Sequence, residues 1–250
     1  MSDCRVEELL VANIAEQLEG LGHVAVGAAS PVPGAAALLA RHLSGNRLRI
    51  SILGSRDHNG FTDGGRELFD CAAQGRIDAF FLGGAQIDAQ ANINLVGIGE
   101  YPGRSARFPG SFGSSYLYFL IPNVFLFTLD HSPRVLVNNV DFISAPGTSE
   151  EHIYRPGGPK LLFSNLCVMR FEPRARRFVL SSVHPGHTLR EVLDNTGFAV
   201  NVPQDLRQTA QPDSRTLDLI RGPVAAEIAE VYPDFAARVL GHDLTRPAGP

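Results

Sequence analysis

The chain has 250 residues, 44% hydrophobic and 19% charged, with a formal net charge of −4. That is enough apolar material for a full-sized core in one compact α/β domain, and without a basic cluster interleaved with aromatics it carries no nucleic-acid-binding signature. Cys4, Cys71 and Cys167 are widely spaced, odd in number and form no Cys-x-x-Cys pair, which argues against a disulfide framework or a cysteine zinc site and for buried or free thiols.

In chain order, Val6, Leu9, Leu10, Ile14 and Leu18 make one apolar stripe at helical spacing, ended by Gly20 and Gly22. His23 to Ala28 reads as a buried strand, Ser30 to Gly34 as a turn, and Ala35 to Leu43 as a helix. Leu48 to Leu53 is the next strand, Arg66 to Gln74 a helix, and Ile77 to Leu82 another buried strand. Alternating strands and helices predict a parallel sheet with helices on its faces. Tyr116–Ile121, Val124–Leu129 and Val135–Ser144 are rich in β-branched and aromatic residues and read as strands of a mixed sheet.

Further on, Leu166–Phe171 and Phe178–Val183 predict a hairpin, and Thr188–Asn195 a short helix capped by Gly197. Residues 203–250 form a polar, proline-spaced extension of this single domain, with one helix between Ala225 and Leu240 and a frayed end over Thr245–Pro250. Glu7 and Glu8 follow Met1-Ser2-Asp3-Cys4-Arg5, which is not the basic head of a secretory signal. Pro122-Asn123 breaks the most apolar stretch, Tyr116 to Leu129, so no membrane span is predicted and the expected location is cytoplasmic.

In open α/β sheets ligands sit beyond the carboxyl ends of the strands. Three loops leave such ends: 27–34, 54–65 and 83–94, all rich in glycine, asparagine or small residues. In the third, Gly83, Gly84 and Ala85 let a substrate approach the main chain, and Gln86, Asn92 and Asn94 offer amides that donate and accept. The same residues also suit a tight turn whose asparagines satisfy local backbone. His184 and His187 flank a Pro-Gly turn with no third ligand nearby, so no metal site is expected. Asp130 and His131 lack a serine or cysteine in an elbow motif. Arg104, Arg107, Arg155 and Lys160 lie in glycine- or proline-rich surroundings and read first as a solvated loop face.

Several of these segments together resemble the class I CoA-transferase β subunits. Gly83-Gly84-Ala85-Gln86-Ile87-Asp88 with Asn92-Ile93-Asn94 looks like their Gly-Ala-x-Gln-Val-Asp-x-x-Gly-Asn-x-Asn signature, with Ala91 where the pattern has glycine. Val24–Pro31, Asp141–Gly147 and Asn195–Phe198 are similar to other recurrent segments, so the likeness runs from about Val6 to Val202. Arg56-Asp57-His58-Asn59-Gly60 resembles the Ser-Glu-Asn-Gly motif, whose glutamate carries CoA as a thioester; His58 stands in its place, and Asp57 is one position off. Gly110-Ser111-Phe112-Gly113 resembles the family's glycine-rich segment, with Ser114-Ser115-Tyr116-Leu117 as a different continuation.

The resemblance implies a CoA-transferase-like α/β fold, an open mixed/parallel sheet flanked by helices. It also implies an α subunit as partner, in an α2β2 heterotetramer, with the active site between α and β. The departures resemble the branch of the family that opens the last steroid ring during cholesterol breakdown by hydrolytic C–C cleavage of a cyclic β-keto CoA thioester. An ordinary CoA-transferase is the competing reading, and a non-enzymatic subunit that stabilises α is a third. Under the favoured reading His58 and Asp57 are the catalytic candidates on this chain, with the main carboxylate on the α partner. Asn59, Gly60, Gly83, Gly84, Ala85, Gln86, Asn92 and Asn94 are the candidates for binding the thioester. CoA is then part of the substrate, and no separate cofactor or metal is expected. A histidine titrating near ~6.5 suits acid or base work but cannot form the anhydride and thioester of a transferase. His58 reads equally as a hydrogen-bonding spacer, and Asp57 either orients it or pairs with Arg56.

Overall fold

The computed structural model describes residues 4–100 and 102–243. The first elements are α1 (Val6–Glu16), β1 (His23–Val26), α2 (Pro31–Leu43), β2 (Arg49–Ile52), α3 (Gly64–Ala73) and β3 (Ala79–Leu82). Next come β4 (Gln86–Asp88), β5 (Ile93–Asn94), β6 (Gly97–Ile98), β7 (Ala106–Arg107), α4 (Ser114–Leu120), β8 (Asn123–Thr128) and β9 (Leu136–Val137). Then follow β10 (Pro159–Ser164), β11 (Cys167–Glu172), β12 (Arg177–Val183), α5 (Leu189–Asp194) and β13 (Arg207–Gln208). The chain ends with α6 (Ser214–Leu219), a π-helical turn (Ile220–Val224), α7 (Ala225–Ile228) and α8 (Pro233–Leu240). The fold class is α/β with a mixed, mostly parallel sheet, as expected.

The described residues divide into two compact units. One takes the chain up to Glu67, Ile77–Ala79 and the residues from Ala210 on; the other takes Leu68–Arg76 and Phe80–Thr209. In the first, β1 runs parallel to β2 from His23↔Arg49 to Val26↔Ile52, and Val24 pairs with Ala79. Both faces of β1 are buried, as a continuous apolar run in a parallel sheet requires. Helix α1 is tied to the end of the chain: buried Glu8 holds Arg221 at 2.6 Å and 2.9 Å, and Arg5 reaches the carbonyls of Arg238 and Val239. In the second unit β8 and β10 are parallel, β10–β11 and β11–β12 antiparallel, and β12–β13 parallel. Its core is aromatic, with Phe125 between Phe81 and Phe163, and Phe178 between Phe171 and Phe198.

Several elements differ from the sequence reading. Tyr116–Ile121 is not a strand: Ser114–Leu120 is helical, with Leu117, Tyr118 and Ile121 forming its buried side. Tertiary burial overrides the β preference of its aromatics, and the helix stops where Ile121, ahead of Pro122, turns extended (ψ 127°). In Val135–Ser144 only Leu136–Val137 joins a ladder, because side chains occupy the backbone further on: Asp141 N–H donates to Gln86 at 2.9 Å and Val140 N–H points at Asp88. Strand β10 carries no clear signal in the sequence. The expected turn at Ser30–Gly34 is mostly the first turn of α2, where Pro31 stands at a position needing no N–H partner.

Gly197 does not act as a helix cap. A Cβ there would lie 2.3 Å from the Leu136 carbonyl, to which its own N–H donates at 2.7 Å. The single helix expected over Ala225–Leu240 is broken at Tyr232, which leaves helical geometry (ψ 66°) ahead of Pro233, and α6 and the π turn precede it. Thr245–Pro250 lies outside the described residues. Among those described, no helix is long and apolar enough to cross a membrane.

Candidate functional site

In the first unit, side chains from far along the chain shape the loop after β2. Gly54 turns it at φ +95°, a conformation that favours glycine. Ser55 Oγ then donates to Glu230 Oε2 at 2.6 Å and accepts from the His58 N–H at 2.9 Å. Arg56 donates to Glu230 Oε1 through its main-chain N–H (3.1 Å) and its Nε (3.2 Å). The His58 carbonyl closes back on β2, accepting from Ile52 N–H at 2.7 Å. Burial pushes the Glu230 carboxyl up, but the hydrogen bonds from Ser55 and Arg56 outweigh it and hold it below the usual carboxylate range.

The His58 ring is 11% exposed. Its Nδ1 lies 3.1 Å from Arg41 Nη1, and its Nε2 lies 3.3 Å from Glu227 Oε2. A guanidinium only donates, so Nδ1 accepts and the ring proton of the neutral form sits on Nε2, facing Glu227. The other Glu227 oxygen meets His42 Nε2 at 2.6 Å. Both ring nitrogens of His58 therefore have protein partners, which is the geometry of a spacer. The Arg56–Asp57 ion pair does not form, because Arg56 is turned to Glu230. Nor does Asp57 orient His58: it is exposed and makes no hydrogen bond or ion pair among the described residues. Asn59 Oδ1 accepts from Phe61 N–H at 3.2 Å. Asp57, His58, Asn59 and Gly60 line a groove of about 360 Å³ together with Arg41 and Arg49.

In the second unit, Gly83 to Asn94 is a hairpin. Strands β4 and β5 pair Gln86↔Asn94 and Ile87↔Ile93 around a turn at Asp88–Asn92. Most of the polar groups expected to meet substrate are spent inside it. Ala85 N–H donates to the Asn94 carbonyl. Asn94 Nδ2 donates to Gln86 Oε1 and to Gly97 O, both at 2.8 Å. Asn92 Nδ2 donates to Asp88 Oδ2 at 3.0 Å, and its Oδ1 accepts from Gly147 N–H at 3.0 Å. Asn92 and Asn94 are thus structural, as in a tight turn that satisfies its own backbone.

Gln86 differs: its Oε1 is held by Asn94 and Asp141, while its Nε2 makes no hydrogen bond among the described residues. Gly84 is a close-approach residue, since a Cβ would stand 2.6 Å from Ile93 Cγ2 and 2.9 Å from the Gln86 carbonyl; at Gly83 it would meet Phe127 O at 3.3 Å. Ala91 sits at φ +61°, which explains the glycine at this place in the signature.

Other candidates resolve as structure. Arg155 is a strut, donating to the carbonyls of Tyr118, Pro146 and Gly157 and lying over the rings of Tyr118 and Phe119. With Lys160 it lines a cavity of about 420 Å³, away from the residues expected to act in catalysis or to bind the thioester. Buried His131 is hydrogen-bonded to Ser164 (2.7 Å) and Thr196 (2.8 Å), with Cys167 Sγ 3.8 Å away. Burial lowers His131 to about 4 and raises the Cys167 thiol to about 12, so neither is poised for base or thiolate chemistry at neutral pH. His184 pairs with Thr209 and the Ser164 carbonyl, and His187 with Glu191. Among the described residues no group of three or more His, Cys, Asp or Glu side chains is arranged to hold a metal ion.

Arg41, Glu227 and Glu230 escape sequence reasoning, because the glutamates lie some 170 positions from the loop they hold. The one local signal is their i,i+3 spacing, which puts two carboxylates on one helical face.

Known proteins are similar in sequence and in fold. The chain is 36% identical over 153 residues to one subunit of the 3-oxoadipate CoA-transferase of Pseudomonas knackmussii, covering 59% of this chain and 58% of that one. It is 32% identical over 160 residues to the cholesterol ring-cleaving hydrolase IpdB subunit of Rhodococcus jostii, covering 62% of each. These alignments span about three fifths of the curated relatives' length. The crystal structure of Rhodococcus jostii IpdAB superposes with a TM-score of 0.79 at 26% identity, covering 92% of this chain and 99% of that one. The decarboxylase AibA/AibB superposes with a TM-score of 0.77 at 27% identity, covering 96% and 100%. The family model for coenzyme A transferase matches residues 3–195. The chain belongs to the coenzyme A transferase family.

Proposed function

We propose that this chain is the β-type subunit of a heteromeric enzyme acting on CoA thioesters, and that its reaction is hydrolytic C–C cleavage of a cyclic β-keto CoA thioester in steroid-ring breakdown. The observation that carries the reading is the state of the carboxylates around the 55–60 loop. A transferase needs a side-chain acid to hold acyl and then CoA covalently. Glu230 has both oxygens engaged by Ser55 and Arg56, and Glu227 has both engaged by His42 and His58. His58 stands at the motif's glutamate and cannot form an anhydride.

In the proposed reaction water adds to the ring ketone. The adjacent C–C bond breaks toward the thioester, whose oxygen takes the charge as an enolate. The enolate carbon then takes a proton, and the oxygen from water stays in the new carboxylate. Gln86 Nε2 is assigned the donation to the enolate oxygen. Asn59 and Gly60 in the first unit, and Gly83, Gly84 and Ala85 in the second, are each assigned to binding the thioester. His58 and Asp57 act in support, and the principal base belongs to an α-type partner in an α2β2 assembly. No resident cofactor enters, and the enzyme is assigned to the cytoplasm. The likeness to IpdB, named as a subunit of a ring-cleaving hydrolase, supports the choice of reaction.

One observation favours a second reading: Asp57 is exposed and unpaired, so its carboxylate is free to act as a displaced nucleophile in CoA transfer. The test is co-expression with an α-type subunit and turnover of a cyclic β-keto acyl-CoA in ¹⁸O-labelled water. One solvent oxygen in the new carboxylate is the expected product. CoA passing to an added acid, with a hydroxylamine-sensitive adduct on Asp57, selects the transferase instead.

A further inference from the structure

We propose that residues 227–232, beyond the stretch matched by the family model, set the geometry of the loops leaving β1 and β2, with Glu227, Glu230 and Tyr232 as positioning residues. This inference rests on the reading that these loops serve the thioester. Three side chains of one short segment each hold a different point. The Tyr232 hydroxyl accepts from Ser30 N–H at 3.1 Å, at the end of the β1 loop. Glu230 takes Ser55 and Arg56 directly after Gly54. Glu227 faces His58 Nε2 at 3.3 Å and bridges it to His42.

Apolar contacts run alongside. A Cβ on Gly34 would meet Ile228 Cδ1 at 2.9 Å, and one on Gly54 would meet Val231 Cγ2 at 3.7 Å, so the segment lies directly against the glycines of both loops.

The chemistry of the contacts explains why the segment sets geometry. Ser55 Oγ has one proton and gives it to Glu230, which leaves its lone pairs to fix the His58 N–H. The backbone from Ser55 to His58 is therefore read out from Glu230. The His58 ring then lies between a donor, Arg41, and an acceptor, Glu227, which allows only the Nε2–H tautomer. Removing either carboxylate frees a stretch that begins with a glycine at φ +95°. A displacement of about 1 Å at a reacting group costs on the order of 100-fold in rate.

The test uses the co-expressed complex and the variants Glu227→Ala, Glu227→Gln, Glu230→Ala and Tyr232→Phe. Nitrogen-15 spectra of the histidine rings and of the amides of residues 54–58 report the loop without substrate; kcat and KM for the thioester report it in turnover, well below each variant's melting temperature. Expected are displaced His58 ring signals in Glu227→Ala, with the Nε2–H tautomer still set by Arg41, near-wild-type ring signals in Glu227→Gln, and shifted loop amides in Glu230→Ala. In turnover, kcat should fall by about 10- to 100-fold in Glu230→Ala, with a smaller change in KM. Tyr232→Phe should move Ser30 and leave His58 in place. Wild-type ring and amide spectra in both alanine variants overturn the inference. If wild-type complex does not open the β-keto thioester, the reaction assignment falls, and the spectra decide the positioning claim separately.

Discussion

The loop after β2 and the hairpin from Gly83 to Asn94 are both short, polar and glycine-bearing, yet opposite devices hold them. The hairpin is closed by its own neighbours: Asn92 reaches Asp88 four residues back, and Asn94 reaches Gln86 eight residues back. The β2 loop is held by Glu227 and Glu230, which arrive from the end of the chain and bring charge with them. Short-range wiring gives the hairpin a skeleton of its own, to which Asp141 and Gly147 add contacts from further along the chain. Remote wiring makes a loop's shape depend on a segment that can change separately, so one scaffold can keep a constant hairpin and vary the loop.

The strongest way to break the contrast is Asn92→Ala. It removes one of the donors to the buried Asp88 carboxylate and leaves the Gly147 N–H without its acceptor, and about 2 kcal/mol of stability should go, read as a shift of the urea midpoint without change in slope. A loss no larger than that of an exposed asparagine would show that the hairpin is not self-supporting.

Next comes pH. The folded His131 takes up its proton only at about 4 and the unfolded one at 6.5, so the unfolded state binds more protons between these values. The second unit's network is therefore fully stabilising above pH 6.5, and about 3 kcal/mol drains away as the pH falls to 4. Glu230, held below its usual range, acts in the same direction at lower pH. Urea melts at pH 7 and pH 4.5 check this, and the His131→Gln variant should show a flatter dependence. The smallest effect sharpens the picture: Ala91→Gly should change stability by less than about 0.5 kcal/mol, because the relief at φ +61° is offset by the loss of a fully buried methyl and by the entropy glycine adds to the unfolded chain, read as a melting temperature close to wild type.

The same distinction explains what the sequence makes legible. The buried strands β1 and β3 announce themselves as continuous apolar runs, and the β11–β12 hairpin and the Gly83–Asn94 motif pair with segments close in sequence. Helix α4 misleads because its aromatics favour a strand while its buried side follows a helix. Val135–Ser144 misleads because Gln86 and Asp88 side chains replace a ladder that composition alone suggests. At the site, His58 and Asp57 are visible as residues, but the partners that fix the ring are not. No local rule connects position 58 to positions 41 and 227.

The π-helical turn at Ile220–Val224 fits one residue more into its turn than an α-helix would, with Pro223 inside it. Loss of a single codon there would restore ordinary winding and rotate everything downstream by about 100° about the helix axis. The tail would stay helical, but its two acids would swing off the loop. A lineage could thus release Ser55 and His58 for new chemistry by a deletion some 160 positions away, with the site's own codons untouched.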